Sequence, residues 1–319
     1  MIYILFDQSE GEYSFISKFW GDEIKEIYSP KKNKKLFSWM AGAIKALLVS
    51  RRQDILICWF DFQAILCYWI GLFIFKPRRI VCVNVMLKDK KTLRNMVVGW
   101  LYKVALGSKR FRASVTSSEY GEWLKRRLGT NCHFYLVRDV YHSDYTVKMR
   151  IHKKHNLVFC GGSNGRDWNL LCKVAWMIPD VSFLFVIPGN LYENVKECVP
   201  DNVDVRYNIS YDEFLQEISR SEIVALPLDT IAPAGLIVMF QAAANGCLVI
   251  MTDTVTTRGY INSNRGALLP NDPEVWVKCI RSMLENGTER EKKAKDLKLF
   301  LETECNEVYF VESIKQMLW

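Results

Sequence analysis

Arg166 is the residue of this chain best placed to hold a negative charge. It follows the turn Gly161-Gly162-Ser163-Asn164-Gly165, which comes directly after the apolar run Asn156 to Cys160. Further along, Ala234-Gly235 open a helix behind the apolar run Ile223 to Leu226 and Pro227. A helix that starts at Ala-Gly, at the carboxyl end of a parallel strand, presents free N–H groups and a positive dipole end, which together suit an anion. Two such loops and one arginine in the same half of the chain point to phosphate chemistry.

Other readings of the glycine turn are weaker. Residues 161–165 formally match GxSxG, the nucleophile elbow of hydrolases, but that fold needs a histidine later in the chain and none follows His155. The spacing is not GxGxxG, so a dinucleotide loop is disfavoured. A plain tight turn is the remaining alternative. The four histidines and ten cysteines show no zinc spacing, and the cysteines, without CxxC pairs or a secretion signal, are expected to be reduced. No DxD triplet occurs, so no obligatory metal is expected, and no cofactor is expected either.

These residues need a scaffold, and the pattern supplies one. In the first half, strands are expected at 1–6, 24–28, 54–58, 79–84, 112–116 and 132–137, alternating with helices at 36–50, 62–75, 91–107 and 118–129. In the second, strands are expected at 156–160, 182–187, 203–206, 223–226, 247–251 and 266–269, with a helix from Arg166 to Ile178. Ser210 opens a capping box, Asp272-Pro273 start another helix, and a last helix runs from about 306. This alternation predicts an α/β protein of two doubly wound, Rossmann-like domains facing a cleft. The boundaries fall at 1–145, 146–305 and 306–319, the last a helix packing back toward the first domain, with 138–156 as a linker. At 319 residues and 50% hydrophobic, the chain can fill two cores. The apolar stretch Ile55–Phe75 is broken by Asp61 and Gln63, so it reads as a strand, a turn and a buried or membrane-apposed helix rather than a span.

Charge is divided unevenly. Residues 1–150 carry a balance of +13 and residues 151–319 one of −5 within the total of +8. Clusters such as Lys31-Lys32, Lys34-Lys35 and Arg51-Arg52 suit an anionic membrane surface or an anionic acceptor. No nucleic-acid motif accompanies them.

The second half resembles the nucleotide-sugar domain of GT-B fold glycosyltransferases, in particular the retaining enzymes of family 4. FCGGSNGRDW (159–168) is similar to that family's glycine loop and its basic residue, and AGLIVMFQAAANGCLVI (234–250) matches the outline of its helix. Two positions depart: Gln241 stands where the ribose-binding glutamate is expected, and Pro233 about where the sugar-contacting one is, with Asp229 or Thr230 as stand-ins. The resemblance implies a nucleotide-sugar donor, UDP-linked by preference, and transfer with retention to a glycan or lipid-linked glycan in envelope polysaccharide assembly. It implies that Gly161, Gly162, Ser163 and Arg166 meet the diphosphate together with Ala234, Gly235 and Leu236. Gln241 would take the ribose, and Pro188, Asn208 and Ile209 the base. Backbone N–H groups of Gly162, Gly235 and Leu236 and the Arg166 guanidinium would stabilise the leaving charge. The acceptor is expected at the carboxyl ends of the first domain's strands, at Asp7, Gln8, Glu10, Trp59, Asp61, Asn84 and Lys88. Asp61, a lone carboxylate among aromatics, is expected to be catalytic together with Arg166 and Gly235, with a helix N-cap as its alternative role. The implied location is cytoplasmic, peripheral on the inner face of the cell membrane. A noncatalytic GT-B-like binding module, and a nucleotide-sugar epimerase or dehydrogenase, are the alternatives.

Overall fold

Short β-branched and aromatic runs closed by loops form parallel strands here, because helices cover both faces of each sheet. A computed structural model describes residues 1–7, 14–30, 35–74, 79–88, 92–148, 153–193 and 195–318. Gln8 and Glu10, and with them Lys31, Lys32 and Lys34, lie outside the described residues. The chain divides into two units, Met1–Val140 with Glu307–Trp319, and Tyr141–Asn306.

Unit 1 runs β1 (Ile2–Phe6), α1 (Ser14–Trp20), β2 (Ile24–Tyr28), α2 (Lys35–Val49), β3 (Ile55–Cys58), α3 (Asp61–Phe73), β4 (Arg79–Cys82), α4 (Leu93–Leu106), β5 (Phe111–Val115), α5 (Ser118–Leu128) and β6 (Phe134–Leu136). Its strands stand in the order β2-β1-β3-β4-β5-β6, all parallel. Thr92 and Ser117 cap α4 and α5 through their hydroxyls. α12 (Glu307–Lys315) completes this unit: Phe310, Val311, Ile314 and Leu318 join Ile4, Phe15 and Ile57 in one core. Arg79 and Arg112 donate to the carbonyls of Leu318 and Met317, which ties the C-terminal turn down.

Unit 2 runs β7 (Leu157–Gly161), α6 (Trp168–Met177), β8 (Ser182–Val186), α7 (Gly189–Tyr192), β9 (Val203–Arg206), α8 (Tyr211–Arg220), β10 (Ile223–Leu226), α9 (Leu236–Ala244), β11 (Leu248–Thr252), β12 (Ala267–Leu269), α10 (Pro273–Glu285) and α11 (Gly287–Glu304). Its sheet is parallel too, in the order β12-β11-β10-β7-β8-β9. Ser210 and Asp272 cap α8 and α10 as the sequence predicts.

Three expectations change. The 138–156 segment is not a free linker over its first part. Asn245, at the end of α9, accepts from the Val147 N–H at 3.0 Å and donates to the Tyr145 carbonyl at 2.8 Å, and Tyr141 and Tyr145 enter the unit 2 core. Arg166 does not begin a helix, because α6 starts at Trp168 behind the Asp167 cap. Asp61 is not an N-cap: α3 is preceded by Phe60, which makes no side-chain cap, and Asp61 is its first helical residue.

Candidate phosphate-binding site

The unit 2 sheet reverses its winding between β7 and β10. Loops leaving adjacent strands at such a point diverge to opposite faces and leave a crevice at the carboxyl edge, where open α/β sheets bind ligands. The two loops concerned are the glycine turn after β7 and the segment before α9. They are laced together along their length. Asp167 N–H donates to the Pro227 carbonyl at 3.0 Å, Asp229 N–H donates to the Gly165 carbonyl at 3.0 Å, and Arg166 bridges to Leu228. From the far side, Thr252 Oγ1 accepts the Leu228 N–H at 2.7 Å and Asn271 donates to the Leu228 carbonyl at 2.8 Å.

Arg166 lies at the centre of this lacing, with 8% of its surface exposed. Its Nε donates to the Gly161 carbonyl at 2.9 Å and its Nη1 to the Asn164 carbonyl at 3.0 Å. A Cβ at Gly162 would stand 2.9 Å from Nη2, and one at Gly235 would stand 3.1 Å from Nη1, so both loops press on the guanidinium with bare backbone. Gly162 (φ 107°) and Gly235 (φ 76°) hold left-handed conformations that suit glycine. Among the described residues no carboxylate pairs with Arg166, and Nη2 donates to no protein acceptor. Burial lowers its pKa, and only the Cys160 thiol, not a carboxylate, pulls the other way. A buried cation without a counter-charge is costly unless a ligand supplies one.

Gly235 is also the N-cap of α9, and no side chain caps this end. The first helical bond is Met239 N–H to the Gly235 carbonyl at 2.9 Å, which leaves the N–H groups of Leu236, Ile237 and Val238 without helical acceptors. Arg166 and an uncapped helix start therefore meet at one point. Ala234 and Leu236 are buried around it, and Ser163 is exposed on the turn.

The expected donor set is corrected in part. The Gly162 N–H is spent on the Val186 carbonyl at 3.3 Å, so Gly162 contributes room and not a donor. Gly161 is a glycine for packing, since a Cβ there would lie 2.7 Å from the Phe214 ring. Gln241 is 2% exposed and bonded through Nε2 to the Tyr211 hydroxyl at 3.3 Å, while its Oε1 is buried without a partner. Pro188 and Asn208 do come together at the ends of β8 and β9. A Cβ at Gly189, next to Pro188, would be 3.4 Å from Asn208 Nδ2, and Tyr192 stacks on Tyr207 at 5.5 Å. Ile209 packs against the core.

In unit 1 the winding reverses between β1 and β3, where Asp7 and the Trp59–Asp61 turn lie. Trp59 packs between Phe6 and Phe310, with ring centroids at 5.2 and 5.4 Å. Asp61 accepts the Met86 N–H at 2.8 Å, and burial pushes its carboxyl up against that pull. Burial likewise raises Asp7, and Lys35 opposes it. Asn84 is buried with φ 53°; it donates to Asp139 at 3.1 Å and accepts from the Ser114 hydroxyl at 3.0 Å. Burial lifts Asp139 to about 6. Lys88 is exposed.

The chain is similar along its whole length to HepE of Anabaena in complex with UDP, with a TM-score of 0.76, 12% identity, and 99% of each chain covered. Sucrose-phosphate synthase of Thermosynechococcus elongatus gives a TM-score of 0.76 at 14% identity over 99% of this chain and 97% of that one. WaaG, a glycosyltransferase involved in lipopolysaccharide biosynthesis, gives 0.69 at 12% identity over 100% and 99%. The fold is GT-B. No known protein family matches the chain, and neither does any curated protein sequence. At these identities the GT-B likeness is one of fold.

Within this GT-B chain, sequence reasoning missed Tyr211, Met251, Asn271 and Asp139. Met251 abuts Gly235, its Cε 3.1 Å from where a Cβ would stand. Each of the four acts through a partner far along the chain, so no local spacing signals it. Asp139 had one faint cue, a carboxylate placed just after a strand.

Proposed function

We propose that the protein is a glycosyltransferase that moves a sugar from a nucleoside-diphosphate donor, UDP-linked by preference, to a glycan or lipid-linked glycan. The observation that carries this reading is Arg166: a buried guanidinium without a carboxylate partner among the described residues, pressed between two glycine turns beside the uncapped start of α9. A diphosphate supplies the missing negative charge. As the sugar leaves, charge grows on the β-phosphate, and a fixed guanidinium with a helix N-terminus stabilises it without reorganisation. We assign that work to Arg166 and the α9 N–H groups, without a metal. HepE, of the same fold, was solved with UDP and with UDP-glucose, which supports a uridine donor. Retention, and a role in envelope polysaccharide assembly at the inner face of the cell membrane, rest on the resemblance of segments 159–168 and 234–250. Asp7, Trp59, Asp61, Asn84 and Lys88 are assigned to the acceptor.

Calorimetric titration with UDP, followed by donor hydrolysis across a set of nucleotide sugars, tests the reading. Absence of UDP binding would sink it. One observation favours a second reading, a noncatalytic nucleotide-binding module. Pro233 stands where a sugar-contacting carboxylate is expected, and Gln241 is turned onto Tyr211. UDP binding without hydrolysis or transfer from any donor would select it.

A further inference from the structure

Helices packed on a sheet normally turn polar side chains outward. Three neighbouring helices of unit 1 do the reverse. α2 carries an outward stripe of Leu36, Met40, Ile44 and Leu48 at a spacing of four, and Leu48 is 73% exposed. α4 carries Leu93, Met96, Val97, Trp100 and Val104, with Leu93 at 77%. Between them, α3 ends on Phe73 at 83%. α3 packs against both, and Trp69 of α3 stacks on Trp100 of α4 at 5.6 Å, so the stripes form one face. Exposed apolar area spread over three helices marks an interaction surface.

The charges on these helices have one sign. Neither α2 nor α4 contains an Asp or Glu. The single acid of α3, Asp61, is turned onto the Met86 N–H. Lys35, Lys45, Arg94 and Lys103 stand exposed on α2 and α4.

We infer that this face of α2, α3 and α4 docks the protein on an anionic lipid bilayer. Apolar and indole side chains enter the headgroup boundary, and the cations beside them meet lipid phosphates. A second copy fits poorly. A two-fold contact on this face would set lysine and arginine against their like, with no acid among the described residues of α2 and α4 to pair them. The inference rests on the membrane part of the reading above and not on its donor part. It adds the surface that makes the contact, and it brings the acceptor-side turns at Asp61 and Met86, which lead into α3 and α4, to the lipid.

The test uses the full chain with vesicles of phosphatidylcholine alone or with an equal part of phosphatidylglycerol. The wild type should sediment with the anionic vesicles, weakly with neutral ones, and less as salt rises. The triple variant Leu48→Gln, Phe73→Gln, Leu93→Gln changes only side chains already in solvent. It should lose about a hundredfold in vesicle partitioning and keep its affinity for UDP. Lys45→Gln with Arg94→Gln should flatten the salt dependence. Arg166→Ala should lose UDP binding and keep vesicle binding, so failure of the donor reading and failure of the docking face are told apart. Unchanged partitioning of the triple variant overturns the assignment. So does a wild-type oligomer that the triple variant dissociates while neither protein binds vesicles, which would give the face to a second copy.

Discussion

The two sheets reverse their winding at equivalent places and furnish them with opposite chemistry. Between β7 and β10 the fold gathers glycines, an uncapped helix start and a buried cation. Between β1 and β3 it gathers an indole among aromatic rings and two carboxylates, and burial raises both Asp7 and Asp61. Geometry alone therefore does not say what a switch point binds; the side chains that the crevice desolvates do. A lone guanidinium suits a phosphate. Carboxylates beside aromatic rings suit the hydroxyls and flat faces of a sugar, the role proposed for unit 1.

The largest expected effect lies on the acidic side. Asp139 has a pKa of about 6 against an ordinary 3.8. The folded state keeps its proton over that interval while the unfolded chain has released it. Stability should therefore fall as pH rises from about 4 through 6, by roughly 3 kcal/mol at most. Asp139→Asn keeps an acceptor for Asn84 and should remove that slope. Urea unfolding at the two ends of the interval measures it, and an unchanged slope would show that unit 1 does not store its acids under strain.

Next comes the basic side. Charge-assisted bonds contribute about 1.5–3 kcal/mol each, so Arg166→Ala should weaken UDP binding by roughly ten- to a hundredfold. Asp61→Asn should leave UDP affinity as it is and slow transfer. Equal loss of UDP binding in both variants would dissolve the contrast between the two crevices.

A pair of glycines sharpens it further. Gly235→Ala and Gly129→Ala both place a Cβ at positive φ, 76° and 61°, at a cost of about 1–2 kcal/mol. Only the first sets it against Arg166, so both should lower the midpoint of thermal unfolding and only Gly235→Ala should also reduce UDP affinity. Matching affinities would detach α9 from the site.

The smallest effect concerns Gln241. Gln241→Glu should be tolerated if it reaches a ribose, whereas Gln241→Leu gives up the Tyr211 bond and should cost about 1 kcal/mol of stability along with activity. An active leucine variant would separate Gln241 from the donor.

The sequence made the sheets legible because strands covered on both faces read as unbroken apolar runs, as in Ile223–Leu226 and Leu248–Met251. Caps with a hydroxyl or carboxylate at the right place, Ser210 and Asp272, were equally plain. The 18-residue helix α11 was not foreseen: GTEREKKAKDLKLFLETE shows little apolar periodicity, and its place is set by burying Leu297 and Leu301. α1 was missed because seven residues are too few for a period to show. At the site, residue types were readable and partnerships were not. Nothing local says that the Gly162 N–H is spent on Val186, or that Gln241 meets a tyrosine thirty positions earlier.

The core of unit 1 is closed by a helix made after all of unit 2. Phe310, Ile314 and Leu318 complete the packing around Ile4 and Ile57. During synthesis, chains fold in the order in which domains emerge, but here the first unit to emerge cannot finish first. The continuous segment 141–306 can reach its native state while the side of the first sheet awaiting α12 is still bare. The aggregation-prone interval in the life of this protein is thus written into its connectivity. Truncation just before Glu307 should leave that interval permanently open, with unit 1 the part exposed to chaperones and proteases.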